Sequence, residues 1–309
     1  MINNNCPICQ TSPKSNSSLF KIKKESIDYR IIKCENCGHI YTFFDKEIAI
    51  QVYYDEKDYQ VKDTKKSIFY QIQEYEYRQV LQKIKHLKPN KGLTLLDFGS
   101  GKGLFLNFAR QFGFEVKGVE TSLPRAHYAQ EVFGLDINTD IYEKGKIFNQ
   151  RFDIITLFHV LEHLPSPETL LHHLTFDNLN NTGLLVLEVP NVNSWQSKWA
   201  GKHWLHLDIP RHLNHFSKKQ LHNILLKNDF QILKMESFSW HLGVIGMMQS
   251  IWNWFGYRGF LIGDLKQKKS LALLLKIVIT LPFAMILEIL AAFFNHGGVI
   301  RLYAQKKSI

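Results

Sequence analysis

Short apolar runs alternate with longer amphipathic stretches along most of the chain after residue 92. Apolar runs of about four to eight residues predict buried strands, and apolar residues repeating every three to four positions predict helices. The predicted strands are 93–98, 114–120, 135–137, 152–158, 184–189, 230–238 and 299–305, and the predicted helices are 104–112, 122–133, 167–179 and 217–228. This alternation predicts an α/β fold in which helices cover both faces of a mainly parallel, Rossmann-like sheet of seven strands.

Three further segments interrupt or precede this pattern. Residues 1–45 contain paired cysteines, and residues 46–91, rich in Tyr, Gln, Lys and Glu, predict one or two linking helices. An apolar insertion at about 241–298 separates the last two predicted strands. We therefore expect an N-terminal unit at 1–45, a helical linker at 46–91, and a main domain at 92–309 that carries the insertion.

The most apolar part of the insertion is residues 271–294, which Lys276, Pro282 and Glu288 interrupt. The uncharged run 277–287 is shorter than the roughly 20 residues that a membrane-spanning helix needs. Because proline suits the first turn of a helix, we expect two short amphipathic helices with a break at Pro282.

Basic and aromatic residues surround this apolar segment, and basic residues beside apolar helices favour an anionic membrane surface. The flanking basic residues are Lys266, Lys268, Lys269, Arg301, Lys306 and Lys307, and the tryptophans in or beside the insertion and the 191–216 loop are Trp195, Trp199, Trp204, Trp240, Trp252 and Trp254. Three interpretations stay open: a lid over a hydrophobic substrate, a face that docks on a membrane, and ordinary packing in a core or dimer.

Composition supports a globular protein of 309 residues, with 45% hydrophobic and 21% charged residues. The net charge of +10 is compatible with nucleic acid, anionic lipid or an acidic substrate, but the lysines are scattered and form no long basic tract. The first residues lack the basic and apolar regions of a signal peptide, so we expect a cytoplasmic protein.

All four cysteines lie in two Cys-x-x-Cys pairs near the N-terminus. Each pair forms a tight turn, and two such turns place four thiolates tetrahedrally around a zinc ion. We therefore predict a small zinc ribbon with a structural site, because four protein ligands leave no open position for catalysis. His39 is an alternative ligand that we expect to be exposed. The predicted ligands are Cys6, Cys9, Cys34 and Cys37.

A glycine-rich turn, residues 97–103, follows the first predicted strand of the main domain and precedes a helix. Glycines permit a tight turn and a close approach of a ligand to the backbone. Glu120 ends the next strand, at the spacing of a carboxylate that binds ribose hydroxyls.

These segments resemble the class I methyltransferases, which bind S-adenosylmethionine. Residues 95–103 resemble the first motif of that family, and 152–165 resemble its fourth strand and the following loop; the resemblance covers about 92–240 and 299–307. A nicotinamide-binding Rossmann enzyme is the competing interpretation. The glycines of that class are usually spaced GxGxxG, whereas those of this chain are spaced GxGxG. By this resemblance the cofactor site comprises Asp97, Gly99, Ser100, Gly101, Gly103, Glu120, Phe158 and His159.

Histidines after the fourth strand of the main domain are candidates for removing a proton from the acceptor. His159 and His163 follow the strand 152–158, at the sheet edge where α/β folds bind ligands. The alternative role for His163 is packing or capping under the Leu164–Pro165 turn. The cluster also resembles the metal-binding Glu-x-x-Glu-His pattern of ubiquinone-pathway O-methyltransferases, except that His159 replaces the first Glu.

A second cluster lies in the loop 204–217, after the strand 184–189. It resembles a Leu-Asp-x-Pro-Arg-His-x-x-His-Phe stretch of bacterial zinc-ribbon methyltransferases. We predict an active-site role, with a loop ordered by an Asp208–Arg211 salt bridge as the alternative. The candidate residues are His206, Arg211, His212 and His215.

Together these features predict a methyltransferase for a small, hydrophobic, lipid-linked, quinone-like or sugar acceptor. An RNA methyltransferase is the alternative, because zinc ribbons also occur in rRNA-modifying enzymes and basic residues lie at 20–33. The apolar insertion argues against RNA. A non-catalytic binding module is the third possibility, and the intact glycine turn argues against it. The predicted location is the cytoplasm, with contact to the inner face of the cell membrane as an extension.

Overall fold

The computed structural model describes residues 5–14, 17–24, 27–44, 68–267 and 270–307. The chain forms two compact units. The first contains the segments Met1–Ile48, Val189–Gln220 and Glu236–Arg301. The second contains Ala49–Glu188, Leu221–Met235 and Leu302–Ile309. Residues 46–67 of the predicted linker, together with Lys268 and Lys269, lie outside the described residues.

The second unit contains most of the α/β sheet. Its strands are β4 (Thr94–Phe98), β5 (Glu115–Val119), β6 (Ile137–Asn138), β7 (Phe152–Phe158), β8 (Leu179–Pro190), β10 (Phe230–Glu236) and β11 (Val299–Lys306). Their order is β10-β11-β8-β7-β4-β5-β6, and the pairs β7–β8, β7–β4, β4–β5 and β5–β6 are parallel. The helices are α1 (Ile68–Leu87), α2 (Leu104–Gln111), α3 (Leu123–Phe133), α4 (Pro167–Asn178) and α6 (Lys218–Lys227). The predicted seven-stranded Rossmann-like sheet is confirmed.

Burial explains why the central strands are almost continuously apolar. Leu95, Leu96, Ile154 and Ile155 are fully buried in β4 and β7. Strands covered by helices on both faces have no solvent-facing positions, so they lose the polar–apolar alternation of an exposed sheet. The carboxyl ends of β4, β5 and β7 therefore lie together at one edge, because these strands are parallel neighbours.

The described residues of the first unit form a second sheet and four α-helices. The sheet has the order β1-β2-β3-β9, with β1 at Ser18–Lys24, β2 at Ile27–Lys33, β3 at Ile40–Phe44 and β9 at Asn214–His215. The helices are α5 (Trp195–Ala200), α7 (Leu242–Trp254), α8 (Leu261–Gln267) and α9 (Leu271–Phe293). In the antiparallel pair β3–β9, Ile40 is opposite His215, so the N-terminal hairpin and the 204–217 loop share a sheet.

The predicted break at Pro282 is wrong, because α9 continues through this residue. Packing against α7 extends along both halves of the helix: Trp252 donates from Nε1 to Thr280 Oγ1 (3.1 Å), and Ala284 and Ala291 are fully buried. This packing on one side compensates for the N–H that proline lacks. By length and composition α9 is able to cross a membrane, with a mean hydropathy of 2.3 over its most apolar window.

Candidate functional site

The turn after β4 has three glycines in the left-handed region, with φ of +80° at Gly99, +54° at Gly101 and +73° at Gly103. A Cβ on Gly99 would lie 2.5 Å from Val160, and one on Gly103 would lie 2.5 Å from Leu135. A Cβ on Gly101 would meet nothing within 4 Å. Gly99 and Gly103 are therefore required by packing, whereas Gly101 faces open space that a ligand can use.

Glu120 fixes this turn from the end of the neighbouring strand. Its carboxylate accepts the backbone N–H of Gly101 at Oε2 and of Ser122 at Oε1, both at 2.8 Å. A carboxylate has about four lone-pair positions, so these two bonds leave capacity for hydroxyl donors. The hydroxyl oxygen of Ser100 is buried and has no hydrogen-bond partner among the described residues. The open space at Gly101, the remaining acceptor positions of Glu120 and the hydroxyl of Ser100 together fit a ribose-bearing cofactor.

Asp97 lies in the sheet beneath the turn and is almost fully buried. Burial raises the pKa of this carboxyl to about 7, the hydrogen bond from Thr156 Oγ1 (2.6 Å) opposes the rise, and the charge of Glu120 adds to it. The hydrogen bond between Thr156 and Asp97 joins β7 to β4 at the strand end that carries the turn.

His159 follows β7 and is held between two carboxylates. Its φ is +56°, its Nδ1 lies 3.1 Å from Glu162 Oε1, and its Nε2 lies 3.0 Å from Glu188 Oε1. Burial disfavours the charged ring, but the bonds and charges of Glu162 and Glu188 outweigh this and raise the pKa of His159 to about 10. The imidazolium has no lone pair with which to take a proton or bind a metal ion.

Glu188, near the end of β8, is a residue of the candidate site that the sequence reasoning missed. It was treated as part of an apolar strand, yet its carboxylate is buried and paired with His159. A lone acidic residue near the end of an apolar strand, beside β7, is the pattern that identifies it. Phe158 and His163 also lie at this edge: Phe158 ends β7, and His163 lies in the short 3-10 turn Leu161–His163.

The other candidate residues lie in the first unit and bond within it. His206 Nε2 lies 3.2 Å from the carbonyl of Leu242, and His212 Nδ1 lies 2.8 Å from the carbonyl of His206. His215 Nε2 lies 3.0 Å from Thr42 Oγ1. These three side chains are buried, as expected for residues that order a loop.

Arg211 pairs with Asp208 at 2.9 Å, which is the salt bridge given above as the alternative to an active-site role. Arg211 also lines a pocket of about 320 Å³ in the first unit.

The four cysteine sulfurs lie within 4.8 Å of one another. The Cys6–Cys37 and Cys9–Cys34 sulfur distances are 3.5 and 3.4 Å, near the roughly 3.8 Å that tetrahedral zinc thiolates with bonds of about 2.3 Å require. The two Cys-x-x-Cys turns also share one backbone geometry. Gln10 and Gly38 each follow the second cysteine, have positive φ, and donate to the carbonyl of Cys6 or Cys34 at 2.9 and 2.8 Å. This repeated turn fits a four-thiolate metal site.

His39 is not exposed, so that expectation is wrong. Its side chain is fully buried and its Nε2 lies 3.0 Å from Asn214 Oδ1. Burial lowers the pKa of His39 to about 4, against the effect of its hydrogen bonds with Asn214 and Gln220. The neutral ring packs against Phe216 and links the N-terminal hairpin to the 204–217 loop.

The sequence also does not reveal a buried polar pair between the insertion and α5. Glu288, which interrupts the apolar run of α9, accepts hydrogen bonds from Gln196 Nε2 (2.8 Å) and the N–H of Gly298 (2.7 Å). Burial raises the pKa of Glu288 to about 7, against these two bonds. A Cβ on Gly243 would lie 2.6 Å from Glu288 Oε1, so α7 approaches α9 closely at this glycine.

Residues 70–235 match a family model described as a methyltransferase domain, which covers more than half of the chain. A relative from Paramagnetospirillum magneticum, named ubiquinone biosynthesis O-methyltransferase, is 33% identical over 29% of this chain and 37% of its own length. Proteins of the same name from Cereibacter sphaeroides and Bartonella quintana are 29% and 25% identical, over 42% and 48% of this chain and 55% and 64% of their own lengths. The chain thus spans about half the length of these relatives.

Two solved structures resemble the chain at low identity. The plantazolicin methyltransferase BpumL in complex with a monoazolic desmethylPZN analog and SAH has a TM-score of 0.49 at 13% identity, covering 84% of this chain and 89% of its own. Coclaurine N-methyltransferase bound to N-methylheliamine and SAH has a TM-score of 0.46 at 15% identity, covering 74% and 72%.

Proposed function

This chain belongs to the class I S-adenosylmethionine-dependent methyltransferases, and we propose that it transfers a methyl group from S-adenosylmethionine to a small, hydrophobic acceptor. A quinone-like, lipid-linked or sugar acceptor is the proposed class. The observation that carries the proposal is the open turn at Gly101 beside the carboxylate of Glu120. The relatives named for ubiquinone biosynthesis support a quinone-like acceptor and do not favour the RNA alternative.

Each residue of the turn has a proposed part in holding the cofactor. The backbone at Gly99, Ser100, Gly101 and Gly103 would contact its amino-acid part, and Glu120 would bind its ribose. Asp97 would stabilise the turn from below, since its buried carboxyl bonds to Thr156 rather than pointing to open space. The backbone of Phe158 and His159 would flank the sulfonium.

The bound cofactor supplies a methyl carbon activated by the positive sulfur. The protein then has to align the acceptor in line with this carbon and, where the acceptor is a hydroxyl, remove its proton. We propose His163 as the base and His159 as a positioning residue, because both nitrogens of His159 already bond to carboxylates. A catalytic role for His206, Arg211, His212 and His215 stays a prediction, and their contacts support ordering of the loop.

A zinc ion bound by Cys6, Cys9, Cys34 and Cys37 would stabilise the ribbon, a role supported by the matched turns and short sulfur distances. We also propose that the protein is cytoplasmic and that its insertion contacts the anionic inner face of the cell membrane. This contact would allow a lipid-linked acceptor to reach the enzyme. Support comes from α9, whose outward face is apolar and exposed at Leu275, Ile279, Ile286 and Phe293.

Incubation of the full chain with radiolabelled S-adenosylmethionine tests this function directly. One reaction contains a quinol with an isoprenoid tail, and a second contains ribosomal RNA. We expect label in the quinol alone, and Glu120→Gln should reduce the rate at least tenfold, whereas Glu115→Gln, at the exposed start of the same strand, should leave it unchanged. Label in RNA alone would instead establish the alternative.

A further inference from the structure

The pocket beside Arg211 is lined by basic side chains from three segments of the chain. Lys24 comes from β1, Lys202, His203 and Arg211 from the loop after α5, and Arg258 from the connection between α7 and α8. Asp208 is the one carboxylate among the lining residues, and it is paired with Arg211 at 2.9 Å. The lining therefore has an excess of positive charge that is not neutralised within the pocket.

Several of these cations are held in place by backbone carbonyls. Lys24 donates from Nζ to the carbonyl of Ile209 (3.0 Å). Arg258 donates from Nη1 to the carbonyls of Asn253 (2.8 Å) and Tyr257 (3.0 Å). Cations that are fixed before a ligand arrives lose less conformational freedom on binding.

The positive charge of the lining also affects His203, another residue of the pocket. Partial burial lowers the pKa of His203, and the positive charges of Arg258 and Lys202 lower it further. A neutral His203 adds a hydrogen-bonding group to the pocket without adding a cation. An anion in the pocket would relieve the repulsion among the basic groups.

We propose that this pocket binds the phosphate group of an amphiphilic ligand, with Lys202, Arg211 and Arg258 as its cationic contacts. Guanidinium groups bind phosphate through paired N–H donors, and a pocket of about 320 Å³ accommodates a phosphate with part of its organic substituent. The inference goes beyond methyl transfer and does not depend on the proposed acceptor.

The apolar surface around the pocket indicates the rest of the ligand. Trp204, Leu205 and Ile209 line the pocket as buried residues. Phe260, also in the lining, is 42% exposed. A phosphate contact bordered by buried apolar residues and an exposed aromatic residue favours a lipid phosphate over a fully polar anion.

The test compares two sources of the same group. Full-length protein is titrated with hexyl phosphate by calorimetry, and its binding to phosphatidylcholine vesicles with and without phosphatidic acid is measured by sedimentation. The Lys202→Gln/Arg258→Gln double variant is compared with Lys198→Gln/Arg110→Gln, which changes an exposed lysine and an exposed arginine outside the pocket. Lys202→Gln alone serves if the double variant does not fold.

We expect the pocket variant to weaken binding of phosphatidic acid vesicles at least tenfold, with the control pair unchanged. Binding of hexyl phosphate but not vesicles, with the same loss in the pocket variant, would support the site and identify a soluble ligand. Equal binding by wild type and pocket variant, or binding of neither ligand, would overturn the proposal. SAH binding by the same variants is measured in parallel, so failure of this inference is distinguishable from failure of the proposed methyltransferase.

Discussion

Gly101 differs from the other glycines of its turn because its left-handed backbone is combined with open space, whereas Gly99 and Gly103 are also enclosed by side chains. The consequence is that substitutions at these positions should separate ligand binding from folding. A Cβ at Gly101 enters the space that the cofactor would use, while a Cβ at Gly103 collides with Ala129 and Leu135.

We expect Gly101→Ala to weaken SAH binding at least tenfold while destabilising the protein by only about 1 to 2 kcal/mol, the cost of a left-handed alanine. Gly134→Ala is the matched control, because Gly134 has φ of +59° and no neighbour near a Cβ, but caps the end of α3. Calorimetry measures the affinity and urea unfolding measures the stability. Equal affinities of the two variants would contradict the assignment of the turn.

The carboxylates around His159 predict a pH dependence. The pKa of His159 in the folded chain is about 10, above its ordinary value of 6.5. The stabilisation of the folded chain by the charged His159 ring and its two carboxylates is therefore fully present below pH 6.5, and it is lost as the pH rises towards 10. Glu188→Gln should lower the free energy of unfolding by about 3 kcal/mol at pH 6, the scale of a broken buried ion pair, and by less at pH 10.

Urea unfolding of wild type and Glu188→Gln between pH 6 and 10 measures this difference. The comparison between the two proteins matters more than either curve, because Asp97 and Glu288, with pKa values of about 7, also titrate near the lower end of this range. Their raised pKa values make the folded state less stable as the pH rises from 4 to 7. A difference that stays constant with pH would show that His159 is not held as a cation.

At the scale of elements, the ribbon and the 204–217 loop depend on each other. Strand β3 pairs with β9, Thr42 donates from Oγ1 to the carbonyl of His212 (2.7 Å), and His39 bonds to Asn214. Loss of metal from the cysteines should therefore loosen a segment that is far away in sequence.

We expect about one zinc ion per chain and, after treatment with a chelator, faster amide exchange at 212–216, with no change in β4 and β5. Mass spectrometry measures both quantities, and Cys6→Ser should reproduce the effect without a chelator. Ser12→Ala, three residues after Cys9, is the control, because the Ser12 hydroxyl donates to Asn5 and not to a cysteine. Purified protein without zinc, or unchanged exchange at 212–216, would contradict the prediction.

The elements of the main sheet were predictable from local pattern, and the contacts between distant segments were not. Apolar runs predicted the positions of β4 and β7 because these strands are buried on both faces. The glycine turn and Glu120 were found by spacing along adjacent strands. The pairing of β3 with β9 and the burial of His39 depend on long-range contacts, which leave no periodic pattern. The continuity of α9 through Pro282 depends on its packing against α7.

At the scale of the whole molecule, the outward face of α9 is the largest exposed apolar feature that the described residues show along one helix. Two of its polar residues lie on the packed side, where Glu288 accepts from Gln196 and Thr280 accepts from Trp252, while Lys276 is exposed. Exposed apolar patches of this kind mark contact with a membrane or another protein.

We expect the wild-type protein to float with vesicles containing anionic lipid, and Ile279→Ser/Ile286→Ser to reduce the floating fraction at least tenfold. The control Ile141→Ser/Phe176→Ser removes equally exposed apolar side chains from the second unit. Thermal unfolding and SAH binding check that each variant is folded. Absence of wild-type flotation would contradict membrane docking and leave a substrate lid or a dimer contact for this face.

The shared sheet of the first unit also has a consequence for how the protein is made. Ile40 and Tyr41 in β3 pair with His215 and Asn214 in β9. Strands β1 to β3 therefore leave the ribosome long before β9, the fourth strand of their sheet, has been synthesised. At a synthesis rate of roughly 5 to 20 residues per second, the edge of β3 waits on the order of 10 to 35 seconds for its partner. Unpaired strand edges bind other chains, so this interval is the time at which a nascent chain is most exposed to aggregation and most in need of a chaperone.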